Sequence, residues 1–382
     1  MNPETTSTAD LRTQMKRLGP WHLEVEITPE LSTRDSLDVP EGSSSSFGKF
    51  TFESPHKGFS QRLLRIFPNG LEGRSVLDCA CNCGGYLFWA KELGAGRCFG
   101  FDVREHWIKQ ARFLAEHRVE PSDDVHFEIC DLYDLPKLGL ERFDVVFFRG
   151  IFYHLPDPIT GLKVAADLTN EVLILNTATR SNMPDGLLAV SDESRTHVMS
   201  GVYGLNWFPT GPLVLEQALA WAGLHETRRV VWRTPGGQPE PLDRLEILAA
   251  RGEGFFEAFD ASRPEGDDGI REVVNTNVPP RALVLVATRD GDEPLDLRDR
   301  QVWRFPRDGQ FGKAGELPDD GRAIEHLEQL RSEGAQYLVF AGGALALLER
   351  NPRLAQHARD RFAMLVQDEM CVIFDLHHDS ES

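Results

Sequence analysis

Basic charge is what this 382-residue sequence most lacks: 41 lysines and arginines stand against 60 aspartates and glutamates, a formal net charge of −19 at pH 7. A field of that sign repels polyanions, so a surface that tracks nucleic-acid phosphates is disfavoured. No apolar run approaches membrane-spanning length, and the opening Met-Asn-Pro-Glu-Thr-Thr-Ser-Thr has no signal-peptide core. The expectation is a soluble, cytoplasmic protein with no membrane partner. Cysteine is sparse, with six in all, at positions 79, 81, 83, 98, 130 and 371. Most sit in apolar, strand-like runs, as suits a reducing compartment. The alternate spacing of Cys79, Cys81 and Cys83 is not the C-x-x-C of a zinc site, and no metal is expected.

What is present is ordinary core material, 41% hydrophobic in a chain long enough for two or three domains. Near the N-terminus Trp21, Leu23, Val25 and Ile27 alternate with polar residues, the period of a half-buried strand. A serine-rich connector at 39–46 follows. A basic-aromatic piece with Lys49, Phe50, Phe52, His56, Lys57 and Phe59 then leads into a helix at 59–66, either a packed flap or a lid. From Leu71 strands and helices alternate: strands at 76–79, 98–101, 125–130, 143–148 and 172–176, helices at 86–93, 105–117 and 159–168. That alternation predicts an α/β fold, a parallel sheet with helices on both faces and ligands at the strands' carboxyl edge. A helix at 213–222 and strands at 226–232 and 245–250 follow. The polar, helix-breaking run Ser262-Arg263-Pro264-Glu265-Gly266-Asp267-Asp268-Gly269 reads as a hinge. The expected organisation is an N-terminal extension at 1–70, a main domain at 71–251, a linker at 252–280 and a small α/β appendage at 281–382.

The stretch Ser75 to Tyr86, Ser-Val-Leu-Asp-Cys-Ala-Cys-Asn-Cys-Gly-Gly-Tyr, is an apolar strand breaking into a turn of small residues ahead of a helix. Such a turn brings backbone N–H groups and a helix N-terminus to a polar ligand. The next strand ends in Asp102, at the distance where a dinucleotide fold offers a carboxylate to ribose hydroxyls, or where an Asp caps the following helix. Ala80 stands where the G-x-G-x-x-G of a nicotinamide site needs its first glycine, which weakens that reading.

Taken with Val76-Leu77-Asp78, the loop resembles the Asp-x-Gly-x-x-x-Gly motif of class I S-adenosylmethionine-dependent methyltransferases. The resemblance implies a Rossmann-like methyltransferase sheet, closed by the strands at 226–232 and 245–250, and S-adenosylmethionine as cofactor. Asp78, Ala80, Asn82 and Gly84 would line the methionine half of the cofactor. Asp102 would hold the ribose, with Val103 beside it, and Asp131 and Leu132 would face the adenine. The run from Phe143 to Pro158 ends in Gly150-Ile151-Phe152-Tyr153-His154-Leu155-Pro156. It resembles the branch that includes tRNA wobble-uridine 5-oxyacetate enzymes and sugar and natural-product methyltransferases. Where the tRNA enzymes place an arginine after Tyr-His, this sequence has Leu155, which speaks against a carboxylated cofactor. The final quarter resembles the appendage of bacterial glycosyltransferases and sugar-pathway methyltransferases.

Methyl transfer to a hydroxyl needs alignment and removal of a proton. His154, at a strand's carboxyl end, is the candidate base, and Tyr153 a wall of the pocket. Arg149 must find a carboxylate, a carbonyl or a ligand. It either binds an acidic group of the substrate or cofactor or pairs with Asp78 or Asp102. The expected activity is O-methylation of a small molecule or saccharide, with docking to other biosynthetic enzymes conceivable. The rival readings are a tRNA wobble-uridine enzyme and a non-catalytic cofactor-binding partner.

Overall fold

The structure is a computed structural model and describes residues 7–36, 46–47, 50–51, 53–118, 124–234, 242–287, 295–307 and 320–379. Most of the serine-rich connector, with Lys49 and Phe52, lies outside them. The chain forms two compact units. The first comprises residues 1–178, 185–228 and 247–262, and the second 179–184, 229–246 and 263–382. No helix among the described residues is long and apolar enough to cross a membrane.

The N-terminal part of the first unit contains α1 (Thr8–Leu18), the short pairs β1 (Glu26–Thr28) with β2 (Leu31–Ser32) and β3 (Ser46–Phe47) with β4 (Phe50–Thr51), and α2 (His56–Ile66). Trp21, Leu23, Val25 and Ile27 are all buried, as their alternation predicts. Only Glu26–Thr28 carries regular pairing, so the period reports burial more faithfully than strand length.

The main sheet has seven strands: β5 (Val76–Cys79), β6 (Cys98–Asp102), β7 (Val125–Ile129), β8 (Phe143–Arg149), β9 (Thr169–Thr179), β12 (Glu226–Arg233) and β13 (Asp243–Ala250), in the order β12-β13-β9-β8-β5-β6-β7. The last two have residues in both units. β7, β6, β5, β8 and β9 run parallel to one another. They are connected through α3 (Gly85–Glu92), α4 (Glu105–His117) and α5 (Pro158–Asp167). This is a Rossmann-like α/β sheet. The chain leaves β5 for β6 on one side and later returns to β8 on the other. The switch point therefore falls between β5 and β8, where carboxyl-end loops diverge and leave a crevice. β5 is buried along its whole length, as a central parallel strand must be. Between β9 and α6 (Pro212–Trp221) lies an antiparallel pair the sequence reading did not foresee, β10 (Leu188–Asp192) and β11 (Leu205–Pro209).

The short α7 (Glu257–Ala261) completes the first unit. The stretch read as a linker, 252–280, holds the boundary between the units after Ser262 and also α8 (Gly266–Asn277), a regular helix with Ile270, Val273 and Val274 buried. Its Pro and Gly precede or open the helix, and Asp267 and Asp268 occupy the first turn, where acidic residues favour the helix dipole. The second unit's own sheet is made of β14 (Leu283–Ala287), β15 (Gln301–Phe305), β16 (Tyr337–Ala341), β17 (Phe362–Gln367) and β18 (Cys371–Asp379), in the order β15-β14-β16-β18-β17. Its helices are α9 (Asp320–Ser332), α10 (Leu345–Arg350) and α11 (Pro352–Arg361). Leu285 and Ala287 of β14 enter the core shared with α9 and α11, while Val284 and Val286 enter the one shared with α8. That is the period of two at work, one strand feeding both faces.

Candidate functional site

β5 delivers the chain into a turn that only small residues can make. Ala80 and Asn82 have φ of 56° and 53°, and Gly84 has φ of 78°. A Cβ on Gly84 would lie 2.6 Å from the Phe127 ring. The turn stays close to β6 because Gly100 has no side chain, and Cys81 Sγ sits 3.0 Å from where its Cβ would be. Cys79, Cys81 and Cys83 are free and buried, and burial raises all three thiols, Cys83 to about 12. They pack as small hydrophobes.

Two acids face this turn from within the sheet. Asp102 ends β6 and is buried. One of its oxygens accepts from Asn82 N at 3.2 Å and the other from Arg104 N at 3.0 Å. It thus ties the loop after β5 to the start of α4, and still has lone pairs for further donors. Burial raises its carboxyl to about 6, against the pull of those N–H groups. Asp78, in β5, is 1% exposed, and its Oδ2 is buried with no hydrogen-bond partner among the described residues. Burial first, opposed by Arg149 and reinforced by Asp102, raises it to about 8. A buried acid without a donor costs free energy unless something supplies one.

Arg149 ends β8 with its guanidinium carbon 4.8 Å from the Tyr86 ring centroid and 5.8 Å from that of Phe59. Phe59 and Tyr86 meet edge to face at 4.8 Å. α2 therefore packs an aromatic wall against the β5–β8 crevice. Asp78 feels two nearby charges, Arg149, which lowers its carboxyl, and Asp102, which raises it.

On β7, Ile129 is paired in register with Asp102. Ile129 and Val103 are both 42% exposed, two apolar side chains flanking a buried acid. Leu132 is buried, with Cδ2 3.1 Å from where a Cβ of Gly161 would sit, and packs against α5. Asp131 accepts from Tyr133 N at 3.0 Å and from the Tyr203 hydroxyl.

After β8 the chain turns at Gly150, φ 72°, into the short 3-10 helix Phe152–His154. Tyr153 stacks on Phe208 of β11, centroids 5.7 Å apart and 20° between planes. His154 Nδ1 lies 2.7 Å from Glu193 Oε1 and 3.1 Å from Gly201 N. Glu193 and Gly201 belong to the loop between β10 and β11. The same loop takes hydrogen bonds from Arg104 at Ser200 O, 2.7 Å, and His197 O, 3.4 Å, and sends Tyr203 to Asp131. Glu193, Arg104, Tyr203 and Ile129 escaped the sequence reading. The hairpin strands are half-exposed and lack a clean apolar alternation. Ile129 alone was foreseeable, as the last apolar residue of its strand.

The residues fit a cofactor with a ribose, an apolar ring and a cationic group. Asp102 offers free lone pairs, Val103 and Ile129 an uncovered apolar face, and Asp78 a buried oxygen in need of a donor. Among the described residues no cluster suited to a metal ion is found. A separate cleft of about 680 Å³ lies at the N-terminal part, around Glu24, Glu30, His56 and Arg118, away from all these groups.

A family model described as a methyltransferase domain matches residues 71–227. The tRNA U34 carboxymethyltransferase of Campylobacter hominis is 41% identical over 101 residues, 26% of this chain and 34% of that protein. The protein of the same name from Pseudomonas fluorescens is 32% identical over 169 residues, 44% of this chain and 50% of that one. This chain thus spans between a third and a half of these two curated relatives. Among solved structures, the N-terminal domain of EvdMO1 with SAH bound aligns at a TM-score of 0.51 and 19% identity, covering 65% of this chain and 99% of that one. That likeness is one of fold.

Proposed function

We propose that the chain, whose residues 71–227 match a methyltransferase-domain family model, is a class I S-adenosylmethionine-dependent enzyme that methylates a hydroxyl of a small molecule or saccharide. The observation that carries the cofactor half is the pair of buried acids at the switch point, Asp102 with lone pairs to spare and Asp78 with an oxygen lacking a donor. Asp102 holds the ribose hydroxyls, and Val103 and Ile129 cover the adenine. Asp78 takes the methionine ammonium, with Ala80, Asn82 and Gly84 giving backbone access beside it. When bound, S-adenosylmethionine supplies a methyl group on a sulfonium sulfur, which an acceptor oxygen displaces in line while the C–S electron pair stays on sulfur. Tyr153 walls the acceptor space, and Arg149 with Tyr86 and Phe59 keeps water from the crevice between β5 and β8. His154 takes the hydroxyl proton.

The net charge of −19 favours a small acceptor over a polyanion. A second reading, action on tRNA, has the support of the two curated relatives. Against their carboxymethyl chemistry stands Leu155, buried at 3% exposure where the resemblance leads one to expect an arginine.

The test is calorimetry with S-adenosylhomocysteine, followed by transfer of a labelled methyl group to a panel of monosaccharides, nucleotide sugars and bulk tRNA. Micromolar binding that Asp102→Ala weakens about a hundredfold, with label on a sugar, supports the reading. About 3 kcal/mol is a fair measure for losing a carboxylate's charge-assisted bonds. No affinity overturns the cofactor assignment. Label on tRNA, with binding that collapses as salt rises, replaces the first acceptor class by the second.

A further inference from the structure

We propose that Glu193 is the positioning residue of His154, holding its proton on Nδ1 so that Nε2 presents a lone pair to the acceptor. The inference rests on the reading of His154 as the base, and it assigns a role to a residue in the loop between β10 and β11.

The two neighbours of Nδ1 select opposite tautomers. Glu193 Oε1, an ion-pair partner 2.7 Å away, favours a proton on Nδ1, whereas Gly201 N at 3.1 Å donates a hydrogen bond to it. A charged acceptor at the shorter distance outweighs a neutral amide, so the proton resides on Nδ1. Nε2 makes no hydrogen bond among the described residues and is not sealed from solvent. It is then the one basic site on the ring, free to take the proton of an acceptor hydroxyl as that oxygen forms its new bond to carbon. The Glu193 side chain is only 7% exposed, which strengthens its hold on the imidazole. Its other oxygen, Oε2, is buried without a partner. A Cβ on Gly201 would fall 2.8 Å from His154 Cβ and 2.9 Å from Glu193 Oε2. The missing side chain at Gly201 is what lets the carboxylate and imidazole meet.

The experiment is ¹⁵N-histidine NMR on the full chain with S-adenosylhomocysteine added, with His154→Gln identifying the resonance. The expected wild-type spectrum carries the proton on Nδ1. In Glu193→Leu the Gly201 amide is left as the partner of Nδ1 and the proton moves to Nε2, while Glu193→Gln, which keeps an acceptor, retains the wild-type tautomer. A wild-type proton on Nε2 overturns the proposal, and since it needs no variant it decides even where Glu193→Leu fails to fold. With an acceptor from the panel, Glu193→Leu lowers kcat tenfold to a hundredfold and leaves KM for the cofactor unchanged. It also adds nothing in a His154→Gln background. If His154→Gln keeps full activity, the reading of the base fails. If it loses activity while Glu193→Leu keeps it, only the positioning role fails.

Discussion

Asp78 of the first unit and Asp243 of the second are both acids buried in strands, and the protein treats them in opposite ways. Asp243 has two guanidinium contacts from Arg281, at 2.9 and 3.2 Å, and hydroxyl donors from Thr234 at 2.8 Å and Ser181. Asp78 has an oxygen with no donor and a carboxyl raised to about 8. Arg300, also buried in the second unit, is likewise satisfied, donating to the carbonyls of Trp232, Asn275 and Val278. Asp243 and Arg300 arrive with their partners. Under the proposed function Asp78 waits for the cofactor to supply one, at a standing cost.

The comparison is broken most forcefully on the architectural side. Arg281→Met strands a fully buried carboxylate, and the expected loss is about 3 kcal/mol of stability, read by urea denaturation, with no change in S-adenosylhomocysteine affinity. On the ligand side the effect is smaller at each step of one pH unit and accrues with pH. Asp78 keeps its proton in the folded chain up to about pH 8 but gives it up near pH 4 when unfolded. The unfolded state therefore holds fewer protons between those values, and the cofactor-free chain loses stability as the pH rises through that window, by up to about 1.4 kcal/mol per unit. Asp78→Asn flattens the slope between pH 5 and 8 and lowers cofactor affinity. An unchanged slope would show that the carboxylate is already satisfied. The smallest effect belongs to the turn between the two acids. Ala80 occupies φ of 56° with a Cβ, and Ala80→Gly is expected to raise stability by no more than about 1 kcal/mol, the relief of left-handed strain less glycine's added chain entropy. A Tm shift of a few degrees upward measures it.

Much of this was readable from residue order, for physical reasons that also explain the gaps. Central strands such as β5 and β8 are buried along nearly their whole length and show as unbroken apolar runs. Asp78, Asp102 and Arg149 stand out because each is charged inside such a run. The hairpin of β10 and β11 carries no such contrast, so Glu193 was invisible even though His154 was not. An apolar residue after a strand can face a ligand or a helix, and residue order alone does not say that Leu132 packs beside Gly161 of α5. β15 and β17 went unseen as sheet edges with few buried positions. The run read as a hinge holds both the unit boundary after Ser262 and the start of α8, because proline, glycine and aspartate open helices as readily as they mark hinges.

One strand end has a reach beyond its own contacts. β8 is held in register by β5 on one side and β9 on the other, and both Arg149 and His154 issue from its carboxyl terminus. Neither can drift without dragging the middle of the sheet along. A change in how the site meets its acceptor is thus left to the loop that carries Glu193 and Gly201, set against an anvil the sheet holds still.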